Sequence, residues 1–372
     1  MSHPADRPRP ERPRVAVVFG GRSSEHAVSC MTARQVLAAI DPARYEVVPV
    51  GIARDGRWVL QPAELPDPAP GVLPSVEASG SEVVLSSRRL SVTEPGDVPR
   101  ALGEVDVVLP LLHGPWGEDG TLQGLLEMAD VRYVGAGVLA SAVSMDKAFA
   151  KLVFASAGLA QLPYVVVTAR AWKDDPAAVR RSVEDLGYPV FVKPARAGSS
   201  MGVSAVAGPD DLDAALRLAS EHDPKVIVEV AATRAREIEC GILERLGAGP
   251  EASVVGEIAV DTASDHDFYD FEAKYVDGTG ANVIPADLDD DRTAEVRTSA
   301  VRAFEALGCE GLARVDFFLL PTGELVINEV NTMPGFTPYS MFPQLWQASG
   351  LDYPALVDRL LSLALARDTG LR

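Results

Sequence analysis

Residues 14–25 read Arg14-Val-Ala-Val-Val-Phe-Gly-Gly-Arg-Ser-Ser-Glu25. An unbroken apolar run closed by two glycines is the pattern of a buried strand ending in a tight turn. Ser23 and Ser24 stand where a helix cap belongs, which predicts a helix to about Ile40 with Glu25 in its first turn. Tyr45–Ile52 is a second apolar strand, so the chain opens β-α-β. Val105–Leu112 is the next strand, and it runs into His113-Gly-Pro-Trp-Gly-Glu-Asp-Gly120. A helix over about Thr121–Ala129 and a short strand at Val131–Gly135 follow. This alternation predicts an α/β unit over residues 14–135, built on a doubly wound, mainly parallel sheet. Within it, residues 61–80 hold five prolines and few large apolar side chains, the composition of an exposed, dispensable loop.

Beyond Ser144 the elements shorten. Helices over about Asp146–Ala157, Ala177–Leu186 and 210–221 alternate with strands Tyr164–Thr168, Pro189–Pro194 and Lys225–Val230. They predict a small central α+β domain over 136–232, with the glycine-serine segment Ala195–Val203 inside it. Residues 233–372 read as a C-terminal α+β domain. It has strands near 236–244 and 253–260, a helix near 291–307, and two closing strands, Leu312–Leu320 and Glu324–Asn331. An acidic-aromatic stretch over 264–281 has neither helix nor strand period and reads as a lid or a packed surface loop.

Three such portions suit a chain of 372 residues, more than one hydrophobic core usually organises. Residues 1–13 are polar and proline-rich without an apolar segment, which predicts a disordered tail rather than a secretion signal. Lys+Arg 34 against Asp+Glu 53 gives a net charge of −19, which repels nucleic acid and anionic membrane surfaces. Three scattered cysteines without CxxC spacing argue for a reducing cytoplasm and against a zinc site. The expected partners are therefore small molecules, with neither nucleic acid nor membrane among them.

The closing strands carry the most chemistry. A turn centred on Thr322-Gly323 with an even loop count sets Asp316 opposite Glu329 and Arg314 opposite Asn331. Side chains two apart share a strand face, so two carboxylates and a carboxamide converge beside a guanidinium, a hard-oxygen set suited to Mg²⁺. A solvated hairpin face is the plainer reading, but the apolar flanks Val315, Phe317, Phe318, Val326, Ile327 and Val330 predict burial, where carboxylates need a cation. Lys193-Pro194 ends a strand before Gly198-Ser-Ser-Met-Gly202, a loop that reads equally as a phosphate cradle or a plain glycine turn. Lys147 opens a helix, where the dipole disfavours it unless an anion is near. Glu25 and His113 both sit at strand ends, where open α/β sheets bind ligands, though capping and structural roles serve them as well. Neither GxxxxGK[ST] nor GxGxxG is present, which excludes a Walker NTPase and disfavours a dinucleotide oxidoreductase.

Seven segments, in order over about residues 14–365, resemble the D-alanine–D-alanine ligases of the ATP-grasp superfamily. They are Phe19–Ser29, Leu112–Gly120, Met145-Asp-Lys147, Val192-Lys-Pro194 with Gly198-Ser-Ser200, Tyr269–Tyr275, Ala313-Arg-Val-Asp316 and Asn328–Thr337. The resemblance implies a three-domain ATP-grasp fold with ATP between the last two domains. It implies ATP contacts from Lys147, Lys193, Ser200, Met201, Glu229 and Glu237. Between the last two, Ala231-Ala-Thr-Arg-Ala235 is one residue longer than the family habit. It further implies two Mg²⁺ ions, replaceable by Mn²⁺, on Asp316, Glu329 and Asn331. Glu25 would bind the first D-alanine's ammonium in a trio with Ser199 and Tyr275. Arg314 and the Gly335 N–H would stabilise the oxyanion, Lys274, Ser340 and Met341 would hold the second D-alanine's carboxylate, and His113 would support the first substrate.

Implied with these are a D-alanyl phosphate intermediate, a place in cell-wall precursor synthesis, and a homodimer through the N-terminal domain. Tyr275 favours D-alanine over D-lactate as second substrate, leaving D-alanine–D-lactate and D-alanine–D-serine ligases as the alternatives. More distant are another ATP-grasp carboxylate–amine ligase and a nucleotide-binding regulator with a dead site.

Overall fold

A computed structural model describes residues 12–66, 71–93, 100–259 and 281–370. Lys274, Tyr275 and all of the lid segment except residue 281 lie outside them, as do residues 1–11 of the tail.

The first sheet is built from β1 (Arg14–Gly20), β2 (Glu46–Ile52), β3 (Trp58–Leu60), β4 (Glu82–Ser86), β5 (Arg89–Thr93), β6 (Arg100–Glu104), β7 (Val107–Pro110) and β8 (Arg132–Tyr133). It is packed by α1 (His26–Ala39) and α2 (Thr121–Met128), and its strand order is β6-β5-β4-β3-β2-β1-β7-β8. Only β2-β1-β7-β8 are parallel; β3 to β6 pair antiparallel. The expected parallel sheet is present as β2-β1-β7-β8, and β3 to β6 extend it antiparallel. The added strands are short and polar on one face, and a tight hairpin suffices to join antiparallel neighbours. Between β4 and β5 that hairpin is Ser87-Arg88, both left-handed at φ 45° and 65°, a turn usually marked by Asn-Gly.

Nor do the serines cap α1: Glu25 holds the N-cap position, while Ser23 Oγ donates to His113 O at 2.8 Å. Glu25 is therefore outside the helix's first turn, and its side chain makes no cap hydrogen bond. The 61–80 segment also departs from a merely exposed loop. Val76 is buried, and its N–H donates to His26 Nε2 at 3.0 Å.

The second sheet, order β11-β10-β12-β9, is antiparallel. Its elements are α3 (Val138–Met145), α4 (Lys147–Ser156), β9 (Tyr164–Thr168), α5 (Ala169–Asp174), α6 (Pro176–Glu184), β10 (Val190–Pro194), β11 (Ser204–Val206), α7 (Pro209–His222) and β12 (Lys225–Val230). The third sheet, order β15-β14-β13-β16-β17, comprises β13 (Arg236–Arg245), β14 (Ala248–Ala259), β15 (Ala281–Val283), β16 (Leu312–Leu319) and β17 (Leu325–Asn331). Its helices are α8 (Asp290–Leu307), α9 (Met341–Ala348) and α10 (Tyr353–Ala366). Aspartates start the helices: Asp146, Asp175, Asp289 and Asp352 each accept from backbone N–H groups of α4, α6, α8 and α10.

Helix α8 lays Val296, Ala300, Ala303, Phe304 and Leu307 on the third sheet's Ile238, Ile242, Val315 and Phe317. Helix α10 turns back to the first sheet, where Leu356, Leu360 and Ala364 join Val15, Val17 and Leu109 in one core. Each fully buried leucine there contributes about 1.5–3 kcal/mol. The C-terminal helix thereby locks the third sheet's chain to the first sheet, closing the space between them.

The β16–β17 hairpin reaches the expected facing pairs by an unexpected route. Arg314 faces Asn331 and Asp316 faces Glu329, but from Phe317 on the register slips by one, to Ile327, Val326 and Leu325. The loop Pro321-Thr-Gly323 has three residues, with Gly323 left-handed at φ 85°. Asn328 is the extra residue of a bulge that restores the even count beside the site.

Candidate active site

The three sheets meet around a cavity of about 1110 Å³. Of the residues singled out in the sequence, Glu25, His113, Lys147, Ser199, Arg314, Glu329, Asn331, Gly335, Ser340 and Met341 line it. Lys193, Ser200, Met201, Glu229, Glu237 and Asp316 do not line its wall.

On the first sheet's side, Glu25 reaches across and accepts a hydrogen bond from Ser199 Oγ in the glycine-serine loop. Only glycine fits beside it at 114. That residue is left-handed at φ 70°, and a Cβ there would stand 2.5 Å from Glu25 Oε2. Ser199 and Ser200 are themselves left-handed, at φ 47° and 58°. Non-glycine residues hold that conformation only where surrounding structure enforces it, a common feature of ligand-binding loops. His113 is buried, and its Nδ1 lies 3.1 Å from the Met333 carbonyl oxygen, which makes it the donor there. Burial lowers its pKa, so the ring is neutral and Nε2, which has no partner among the described residues, is an acceptor.

The third sheet supplies the hairpin face. Arg314 forks onto Asp316 with two hydrogen bonds of 2.7 Å, and its Nε lies 2.9 Å from Glu239. Asn331 Nδ2 donates to Asp316 Oδ2 at 2.9 Å. Lys147, first residue of α4, donates to the Ala197 carbonyl at 3.0 Å and lies 3.3 Å from Glu329. That carboxylate is the anion its place at a helix start called for. Ser340, at the N-cap of α9, and Met341 bring the helix's first turn to the cavity, where N–H groups favour a carboxylate.

A second cluster lies deeper. Lys193 Nζ donates to Glu229 Oε2 at 2.7 Å, and Lys151 Nζ pairs with Glu229 Oε1. Burial alone would raise the Glu229 carboxyl, but Lys193 and Lys151 together hold it below the usual range. Burial opposes the charge on Lys193 too, and Glu229, Glu329 and Glu237 override it and raise its pKa. Glu237 thereby belongs to the electrostatic surroundings of Lys193.

Sequence reading missed Glu239, Glu118 and Lys151. Glu239 is set against Asp316 by the β13–β16 pairing, which no local pattern encodes. Glu118 accepts from the N–H groups of Gly114 at 2.6 Å and Met333 at 3.1 Å, joining the 113–120 loop to the 332–337 loop. Burial first, then the nearby charges of Glu25 and Glu329, push its carboxyl up to about 8. Lys151 lies one helical turn beyond Lys147, a spacing that could have revealed it.

Among the described residues no three His, Cys, Asp or Glu side chains gather as a metal group. The hard-oxygen set of Asp316 and Glu329 is completed instead by the Asn331 amide, a donor type that fits a hydrated Mg²⁺.

Residues 14–136 match the family model of the D-ala D-ala ligase N-terminus, and residues 153–362 that of the D-ala D-ala ligase C-terminus. The chain belongs to the D-alanine–D-alanine ligase family. It is 59% identical over 369 residues to a D-alanine–D-alanine ligase of Paenarthrobacter aurescens, covering 97% of each chain. It is 57% identical to one of Streptomyces griseus, covering 97% of this chain and 95% of that one. The structure of the D-alanine-D-alanine ligase from Coxiella burnetii superposes with a TM-score of 0.79 at 30% identity, over 96% of this chain and 94% of that one. The VanG D-Ala:D-Ser ligase of Enterococcus faecalis superposes with 0.78 at 33%, over 95% and 100%. The family's fold therefore hosts more than one second substrate. Glu25 and His113 fall in the N-terminal family segment and Arg314, Asp316, Glu329 and Asn331 in the C-terminal one, with Lys147 and Lys151 between the two.

Proposed function

We propose that the protein joins two D-alanines into D-alanyl-D-alanine at the expense of ATP, through a D-alanyl phosphate, for peptidoglycan precursor synthesis. The observation that carries this reading is the convergence on one cavity of the Glu25–Ser199 pair, Lys147 with Glu329, and Arg314 with Asp316. The relatives at 57–59% identity favour D-alanine over D-lactate or D-serine as second substrate.

Glu25 binds the ammonium of the first D-alanine, with Ser199 and Tyr275 holding the carboxylate in place, and neutral His113 offers Nε2 as an acceptor beside it. The first D-alanine's carboxylate oxygen attacks the γ-phosphorus of ATP, and ADP leaves. Lys147 and Lys193 neutralise the phosphates, and Ser200 and Met201 cover them, with Glu229 and Glu237 on the adenine and ribose side. Two Mg²⁺ ions on Asp316, Glu329 and Asn331 would supply charge neutralisation at the transferring phosphoryl group. The second D-alanine's amine then attacks the acyl carbon, and phosphate leaves. Arg314 and the Gly335 N–H stabilise the oxyanion, and Lys274, Ser340 and Met341 hold the second carboxylate. The 264–281 segment closes over the intermediate to keep water out. The tail over 1–13 and the domain divisions at 135 and 232 belong to the same reading. So do a homodimer and a cytoplasmic location; among the described residues no helix is long and apolar enough to cross a membrane.

Purified protein mixed with ATP, Mg²⁺ and equal D-alanine, D-lactate and D-serine tests this by mass spectrometry of the products. D-Alanyl-D-alanine in excess is expected. Dominant depsipeptide or D-alanyl-D-serine would overturn the substrate assignment, and absence of all three with no ADP would overturn the activity.

A further inference from the structure

Lys151 and Glu229 each expose only 3% of their side chains, and their charged ends pair directly. Glu229 gives its other oxygen to Lys193. The Lys151 ammonium also stands 5.1 Å from the centre of the Tyr164 ring, and Gln161 Nε2 donates to the Lys151 carbonyl at 2.9 Å, which fixes this turn of α4. Two ammonium groups thus share one carboxylate in dry surroundings, where one partner would satisfy it.

The second cation matters once Lys193 has to move. A buried carboxylate deprived of its only cation is strongly destabilised. If Lys193 were that only cation, its transfer to an arriving phosphate would be opposed by the charge it left behind. We propose that Lys151 is a positioning residue for the nucleotide: it remains as the counter-ion of Glu229, so that Lys193 can pass from Glu229 to the phosphates of ATP. The inference rests on the reading of Lys193 as a phosphate-binding lysine. It gives Lys151 no contact with nucleotide or substrate, and its effect is confined to ligands that draw Lys193 away.

The test compares ATP, ADP and adenosine binding by calorimetry for the full chain and for Lys151→Met, with steady-state kinetics alongside. Lys151→Met is expected to weaken ATP and ADP about tenfold or more, and adenosine by less than about twofold. The KM for ATP should rise in step while the KM for D-alanine stays put. Lys151→Arg, which keeps the cation, should restore most of the loss. Equal weakening of all three ligands would mark Lys151 as merely structural and overturn the proposal, as would unchanged ATP affinity. Should Lys151→Met fail to fold, Lys151→Met with Glu229→Gln removes both charges. Its ATP-to-adenosine ratio should match that of Glu229→Gln alone, and a lower ratio would overturn the proposal. Lys193→Met separates the two layers. If it leaves the ATP-to-adenosine ratio unchanged, the assignment of Lys193 is what has failed, and this inference falls with it.

Discussion

Two ionic clusters, one on the cavity wall around Arg314 and one deeper around Glu229, are built with opposite signs. Around Glu229, one carboxylate carries two ammonium groups, those of Lys151 and Lys193. Around Arg314, one guanidinium carries two carboxylates, those of Glu239 and Asp316. The first has a surplus of positive charge and suits a polyphosphate; the second has a surplus of negative charge and suits a divalent cation. Lys147 with Glu329 bridges them as a balanced pair. The two excesses are complementary to the two halves of the metal–nucleotide complex in the proposed reaction, and each excess charge shares a partner of opposite sign. Removing the centre of either cluster tests that opposition of charge directly.

The largest effect is expected at the drier cluster. Glu229→Leu strands the buried Lys151 ammonium and leaves Lys193 only the more distant charges of Glu329 and Glu237, and should cost about 3–5 kcal/mol in denaturant unfolding. A loss below about 1 kcal/mol would show that the lysines escape to solvent and that the cluster is not dry. At the other centre the loss falls on rate. Arg314→Ala should lower kcat by about a hundredfold to a thousandfold, the scale of removing one oxyanion donor, while ATP still binds. Retained turnover would take Arg314 out of the chemistry and leave it a partner for Asp316.

The two clusters also differ in how far the sequence exposed them. The hairpin side was legible because strand alternation is local: Arg314 and Asp316 are two apart, and Glu329 and Asn331 face them. Even so, these pairs face each other only because two departures offset, a three-residue loop and the Asn328 bulge. Glu239 was beyond reach because the β13–β16 pairing that delivers it joins strands some seventy residues apart. At the other cluster Lys193 was found from its place at a strand end, while Lys151 depends on which way α4 turns its second turn. Fold class was readable from the opening strands. Strands β3 to β6 were not, because Ser87-Arg88 takes left-handed angles without the glycine or asparagine that usually marks them. The 61–80 segment misled in the same way: its prolines describe its own chain, whereas its attachment through Val76 depends on His26 on another element.

A third effect lies on the seam between the clusters and the first sheet, and it shows only as pH rises. Glu118 holds its proton up to about 8 because burial and the charges of Glu25 and Glu329 oppose ionisation. In the unfolded chain the same carboxyl ionises near its ordinary value of 4.5. Between these values the folded protein binds the extra proton, so this group lowers folding stability as pH rises. Below the unfolded value both states are protonated and it contributes nothing; above the folded value the loss is complete. Glu118→Gln keeps an acceptor oxygen for the N–H groups of Gly114 and Met333 but cannot ionise. Thermal unfolding from pH 5 to 8 should therefore fall less steeply in the variant, by about 3 kcal/mol at the alkaline end. Parallel curves would mean that Glu118 already titrates near its ordinary value, with the hydrogen bonds of its two loops outweighing burial and the neighbouring charges.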